Sequence, residues 1–238
     1  NQGPRNLVWS PDGKKIAFNM FVPYSPTPMI KMPPMPKGAK WAPRAQVESR
    51  LVWRNDRRGN RPFGYTHIFT VPSTGGTPRQ LTSGDFDYGA PDWSPDGQTI
   101  IFNATREAEA DYEVFADRAE VYALSLKDGT LKALTDRVGP DLAPKFSPDG
   151  RYIAYSGFDQ KKYMYHVSNL NIMSSNGQNR SILAGKLDRS IRNFTWAPNS
   201  KGLYFTAGDK GSSNLHFVST EADSIKKITK GEQMISSL

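Results

Sequence analysis

One short unit returns four times along the chain and limits the fold more than any other feature: VWSPDGKKIAF at Val8 to Phe18, DWSPDGQTIIF at Asp92 to Phe102, KFSPDGRYIAY at Lys145 to Tyr155, and TWAPNSKGLYF at Thr195 to Phe205. Pro at the second position of a turn presets φ, Asp bonds its own backbone, and Gly takes the left-handed conformation that closes a hairpin with a bulge. Ser-Pro-Asp-Gly is therefore a hairpin signal. The residues after it run apolar (Ile16-Ala17-Phe18, Ile100-Ile101-Phe102, Ile153-Ala154-Tyr155), as a buried strand does.

A second hairpin follows in each unit: HIFTVPSTGGTPRQLT (His67 to Thr82), EVYALSLKDGTLKALT (Glu120 to Thr135), LNIMSSNGQNRSIL (Leu170 to Leu183) and LHFVSTEADSIKKIT (Leu215 to Thr229). Four strands per unit is the content of a propeller blade, so the expectation is an all-β chain of four blades, each a four-stranded antiparallel sheet. The blade units are placed at about 5–82, 85–135, 140–184 and 190–230. Pro11, Pro95, Pro148 and Pro198 are spaced by 84, 53 and 50 residues, so the first unit holds a large insertion, placed at 20–62. Its seven prolines from Pro23 to Pro43 suit a long loop or arm better than a hydrogen-bonded ladder. Each blade buries its faces against neighbours, and both ends of the chain look cut, so an incomplete propeller from a longer protein is expected. Two such chains pairing into one closed ring, a homo-oligomer, would cover the open faces.

Composition narrows the function classes. Without cysteine there is no disulfide, thiolate nucleophile or thiolate metal site, and no cofactor is implied. No stretch approaches the roughly 18 apolar residues of a membrane span, and the first residues lack the basic-then-apolar pattern of a signal peptide. The net charge of +8 resides mostly in one segment: Lys31 to Arg61 holds nine basic residues and two acids, Glu48 and Asp56. Only Trp41 and Trp53 lie among those charges, where single-stranded nucleic acid would require a series of stacking rings, so a nucleic-acid partner is not expected.

The units resemble the repeats of TolB-type propellers. The stretch from Arg50 to Gly97, with RLVWRNDRRG, a Phe-Gly-Tyr link and HIFTVPSTGGTPRQLTSGDFDYGAPDWSPDG, resembles more specifically the propeller of acylaminoacyl-peptidase-like members of the prolyl oligopeptidase family of serine peptidases. That resemblance implies an α/β-hydrolase domain after the propeller, carrying Ser, Asp and His, with the propeller admitting only short peptides. It slightly favours a periplasmic or secreted location over the cytoplasm. None of the serines here stands in the Gly-x-Ser-x-Gly elbow, so the chain itself carries no catalytic residue. The Pro- and Lys-rich segment at Met29 to Pro43 departs from the family pattern and leaves the branch open. A TolB-like interaction propeller without an enzyme is the alternative.

Arginine suits peptide carboxylates because its planar fork binds both oxygens. Arg50, Arg54, Arg57 and Arg58 of RLVWRNDRRG are therefore candidate substrate contacts, as are Arg106 and Glu107 after the strand ending at Phe102. His67, His166 and His216 have no metal-binding or triad spacing and are expected to be structural, with no metal site. Asp12, Asp96 and Asp149 recur with the turn and are explained by it. Trp9, Trp93, Phe146 and Trp196 recur in the same way and are expected to pack between blades.

Overall fold

The computed structural model describes residues 3–25, 33–40, 54–56, 59–106, 118–161, 165–222 and 224–238. The first sheet takes β1 (Arg5–Trp9), β2 (Lys15–Pro23), β5 (Gly64–Pro72) and β6 (Arg79–Gln80), with a ribbon of β3 (Arg54–Asn55) and β4 (Gly59–Asn60) between β2 and β5. The second holds β7 (Asp92–Trp93), β8 (Thr99–Ala104), β9 (Glu120–Ser125) and β10 (Leu131–Ala133). β11 (Asp141–Phe146), β12 (Tyr152–Gly157), β13 (Asn169–Ser174) and β14 (Ser181–Leu183) form the third. The fourth comprises β15 (Ile191–Trp196), β16 (Gly202–Asp209), β17 (Ser212–Ser219) and β18 (Ile225–Lys227). Every sheet is an antiparallel meander, and the one helical turn among the described residues is 3-10, at Gly185–Leu187.

The recurrent hairpin forms as its residues dictate. Ser10 donates to the Asp12 carboxylate at 2.6 Å, and the same Asp12 oxygen accepts from the Lys14 amide at 3.0 Å. Ser94 with Asp96 and Ser147 with Asp149 repeat the contact. These bonds hold all three carboxyls below the usual aspartate range, Asp149 at about 2. Gly13, Gly97 and Gly150 take φ of 66°, 68° and 71°, and in the fourth unit Ser200 takes the same place at 60°.

A second device closes the outer hairpin and rests on the Leu-Thr or Ile-Thr pair that ends three of the four units. The Thr82, Thr135 and Thr229 hydroxyls accept from the amides of Ile68, Val121 and Leu215, at 3.0, 2.8 and 2.9 Å. Each thereby satisfies a backbone donor that burial would otherwise leave without a partner. The third unit has Ala184 at this position.

The sheets pack face to face through inner-strand residues. The Trp93 indole donates to the Val8 carbonyl at 3.3 Å and the Trp196 indole to the Lys145 carbonyl at 3.0 Å, each reaching the first strand of the preceding sheet. Phe146 has no indole N–H, and its amide donates instead to Asp92 at 2.8 Å. One apolar cluster joins sheets one and two around Ile100 and Phe102, a second joins two and three around Ile101 and Ile153, and a third joins three and four around Leu203 and Phe205. Burying each such side chain is worth about 1.5–3 kcal/mol. Trp9 departs from the expected packing: it belongs to the first sheet, where no preceding strand covers it, and is 59 % exposed. The insertion also starts later than the sequence suggests, because β2 pairs with β5 as far as Pro23 against Gly64.

Candidate functional site

Strand direction places the connections. Within each antiparallel sheet the start of the first strand, the end of the second, the start of the third and the end of the fourth lie at one end. Short links at 81–91, 134–140 and 184–190 join that end of one sheet to the same end of the next. The insertion between β2 and β5 and the connection at 105–119 between β8 and β9 therefore emerge on one common face.

Of the six residues singled out as peptide contacts, Arg50, Arg57, Arg58 and Glu107 lie outside the described residues. Arg54 is exposed on β3. Arg106 follows β8 on the loop-bearing face, and no contact between the two is found among the described residues. Its guanidinium carbon lies 5.1 Å from the centre of the Phe86 ring and 5.7 Å from that of Tyr122. The cation is thus held by rings from the link and from the third strand, an arrangement that also supplies cation–π attraction. Its Nε is buried without a hydrogen-bond partner, and no carboxylate pairs with it among the described residues. Beneath it Tyr88 meets Phe102 edge to face at 5.4 Å and donates its hydroxyl to the Ser83 carbonyl at 2.7 Å. Burial raises the Tyr88 phenol above its usual value, and the Arg106 charge opposes that.

Next to this feature lies a network of buried charge between sheets two and three. The Asp141 carboxylate is fully buried and meets Arg137 at 2.5 Å, and Arg137 also reaches Asp159 at 3.4 Å. Glu120 accepts from the Thr135 hydroxyl, and burial pushes its carboxyl up to about 7. Burial likewise lifts the Tyr155 phenol to about 12, with Asp141 adding to the shift. Arg180 closes the edge, donating to Asp136 at 2.5 Å and to the Leu134 carbonyl at 2.8 Å. Sequence reasoning missed this network because its members come from three strands, the link at 134–140, the loop after β12 and the turn before β14, and no local spacing joins them.

The three histidines stay apart. The His67 Nδ1 is 3.3 Å from the Thr82 hydroxyl, His166 stacks on Phe158 at 4.4 Å, and the His216 Nδ1 is 3.1 Å from the Asn214 carbonyl. No group of three or more His, Cys, Asp or Glu able to hold a metal is present among the described residues.

A meander of four-stranded sheets with this contact pattern is shared with known propellers. The fold matches an acylaminoacyl peptidase solved in complex with Z-Gly-Gly-Phe-chloromethyl ketone, with a TM-score of 0.69 at 15% identity, covering 100% of this chain and 34% of that one. It matches a putative TolB from Agrobacterium tumefaciens with a TM-score of 0.58 at 18% identity, covering 99% and 85%. At this identity the likeness establishes the fold alone, a β-propeller built from the four sheets as blades. In sequence, the chain is 24% identical to dipeptidyl-peptidase 5 of Porphyromonas gingivalis over 244 residues, which is 97% of this chain and 34% of that protein. The chain thus spans about a third of the length of the curated relatives it matches. Residues 37–162, more than half of the chain, match the family described as the dipeptidyl peptidase IV N-terminal region, and it is to this family of peptidase propellers that the chain belongs.

Proposed function

We propose that the chain is the non-catalytic propeller of a serine peptidase acting on short peptides, controlling access to an α/β-hydrolase domain that carries the nucleophile. The observation that carries this reading is Arg106: a cation held by two rings, with no carboxylate partner among the described residues, on the face that carries the two longest connections. A guanidinium so placed is fixed in orientation before a ligand arrives and offers its Nη edge to a peptide carbonyl or carboxylate. The dipeptidyl-peptidase name of the Porphyromonas relative supports a peptide as the ligand. The exposed Arg54 extends positive charge on the inserted segment of that face, and Arg50, Arg57, Arg58 and Glu107 belong to the same two connections.

The test uses the full-length gene product. Arg106→Ala raises KM for a short peptide substrate by about tenfold with kcat little changed, the loss of one charge-assisted contact, and cleavage falls off sharply as the peptide lengthens. A full-length product without a Gly-x-Ser-x-Gly elbow, or one that cleaves long and short peptides equally, overturns the proposal. A TolB-like interaction propeller is the second reading, favoured by the 85% of the Agrobacterium TolB chain that the fold covers.

A further inference from the structure

The second and fourth sheets share one set of positions with different contents. In the fourth sheet Phe205 stands opposite His216 and His216 opposite Lys227, so these side chains form one row on one face. In the second sheet Phe102, Tyr122 and Ala133 form the corresponding row. Phe86 and Arg189 stand equally far before Trp93 and Trp196, and Arg106 and Asp209 equally far after Phe102 and Phe205. The second sheet fills the space between these positions itself, with Arg106 held by Phe86 and Tyr122. In the fourth sheet the counterparts leave it open as a cleft of about 340 Å³, lined by Leu187, Arg189, Asp209, His216, Ile225 and Lys227 among others.

The polar groups around the cleft have defined capacities. The charge of Arg189 is already met by a carboxylate: its Nε and Nη2 donate to Asp209 at 3.3 and 3.0 Å, and its Nη1 to the Asp188 carbonyl at 2.7 Å. Lys227 makes no ion pair among the described residues; its charge helps lower the Asp209 carboxyl, but the direct contact to that carboxylate is made by Arg189. His216 donates from Nδ1 to the Asn214 carbonyl at 3.1 Å, which leaves Nε2 as an acceptor with a free lone pair. Burial lowers the affinity of this ring for a second proton; the Asn214 bond opposes this and the nearby Lys227 adds to it. Leu187, Ala207 and Ile225 supply apolar wall. The volume is at the small end of the range for ligand sites.

From this set we infer that the fourth sheet binds a small carboxylate that carries an N–H donor and an aliphatic side chain, as the last residue of a peptide does. The carboxylate takes the Lys227 ammonium, the N–H takes His216 Nε2, and the aliphatic group fills the wall. The inference stands whether or not a hydrolase domain accompanies the propeller.

The 238-residue chain is titrated by calorimetry with N-acetyl-leucine and with its uncharged amide, N-acetyl-leucinamide. The acid binds, and the amide binds about tenfold more weakly, as loss of one charge-assisted contact requires. Lys227→Gln weakens the acid by the same factor. Lys226→Gln, one residue away on the opposite face of β18 opposite Phe217, leaves it unchanged and controls for net charge. Both variants are exposed and leave the core intact. Equal binding of acid and amide, wild-type affinity in Lys227→Gln, or no binding of the acid overturns the inference.

Discussion

Replacing Glu120 by Gln makes the chain more stable at alkaline than at acid pH relative to the parent, and the size of that difference follows from the position of Glu120. Its carboxyl sits at the start of β9, accepts from the Thr135 hydroxyl and faces Asp141 and Arg137 across the junction of two sheets. Burial is the largest cause of its rise from the usual 4.5 to about 7; the Thr135 bond opposes it, Asp141 and Asp136 add to it, and Arg137 opposes it. Between these two values the folded chain keeps a proton that the unfolded chain has lost. Stability is therefore full below 4.5 and falls as pH rises through about 7. For a fully enclosed carboxyl this displacement corresponds to about 3 kcal/mol, and because water reaches part of Glu120 the working figure is about 1 kcal/mol. Gln keeps an oxygen for the Thr135 hydroxyl and does not titrate. Thermal unfolding at about pH 5 and about pH 8 reads the result: the gap in Tm between Glu120→Gln and the parent grows by about 2–4 °C in favour of the variant at the higher pH. A gap independent of pH, or one that moves toward the parent, refutes this account of Glu120.

Arg137→Gln strips the cation from the fully buried Asp141 carboxylate and costs about 3–5 kcal/mol in urea unfolding, whereas adding Asp141→Asn recovers much of the loss because no buried charge is then unpaired. Trp196→Phe leaves the Lys145 carbonyl without its donor and costs about 1–3 kcal/mol, while Trp9→Phe changes the 238-residue chain by under about 0.5 kcal/mol; equal costs for the two would contradict the packing described for the indoles.

The repeat that made the fold legible is local chemistry, and local chemistry is what a sequence exposes. Ser-Pro-Asp-Gly closes its turn with its own side chains, so it announces a hairpin without reference to the rest of the chain. Even the divergent Ala-Pro-Asn-Ser closes, since Asn199 accepts from the Lys201 amide at 3.0 Å and Ser200 takes the left-handed turn. The bulge in the first strand of sheets one, three and four was not legible. Asn6, Ala143 and Asn193 adopt positive φ there with two different residue types, because the register against the second strand sets the bulge. The start of the insertion was misplaced for a related reason. Prolines mark Pro23 as a breaker, but it ends its strand, and Tyr24 carries the pairing further by stacking on Tyr65 at 5.9 Å. In the candidate site, sequence singles out Arg106 by residue type alone; the two rings against it come from the link and from β9, and no spacing predicts them.

The clamp at the outer hairpins shows why some charged and ring-bearing residues here need no catalytic explanation. His67, Glu120 and Asn214 occupy one structural position, each just before the amide that a threonine hydroxyl satisfies, and each meets that hydroxyl with its own side chain. The threonine accepts one backbone proton and has its own to give, so any side chain with an acceptor atom completes the arrangement. A histidine, a glutamate and an amide are therefore interchangeable at this position as far as the scaffold is concerned, and their variety carries no information about chemistry. Information lies instead where equivalent positions differ in what they leave unsatisfied. Tyr122 and His216 are equivalent, as are Ala133 and Lys227, yet the first pair of rows closes over a sandwiched arginine and the second leaves an ammonium without a carboxylate partner among the described residues. Equivalent positions in a repeated scaffold thus serve as controls for one another: the space that the second sheet fills with its own arginine is the space that the fourth leaves open as a cleft.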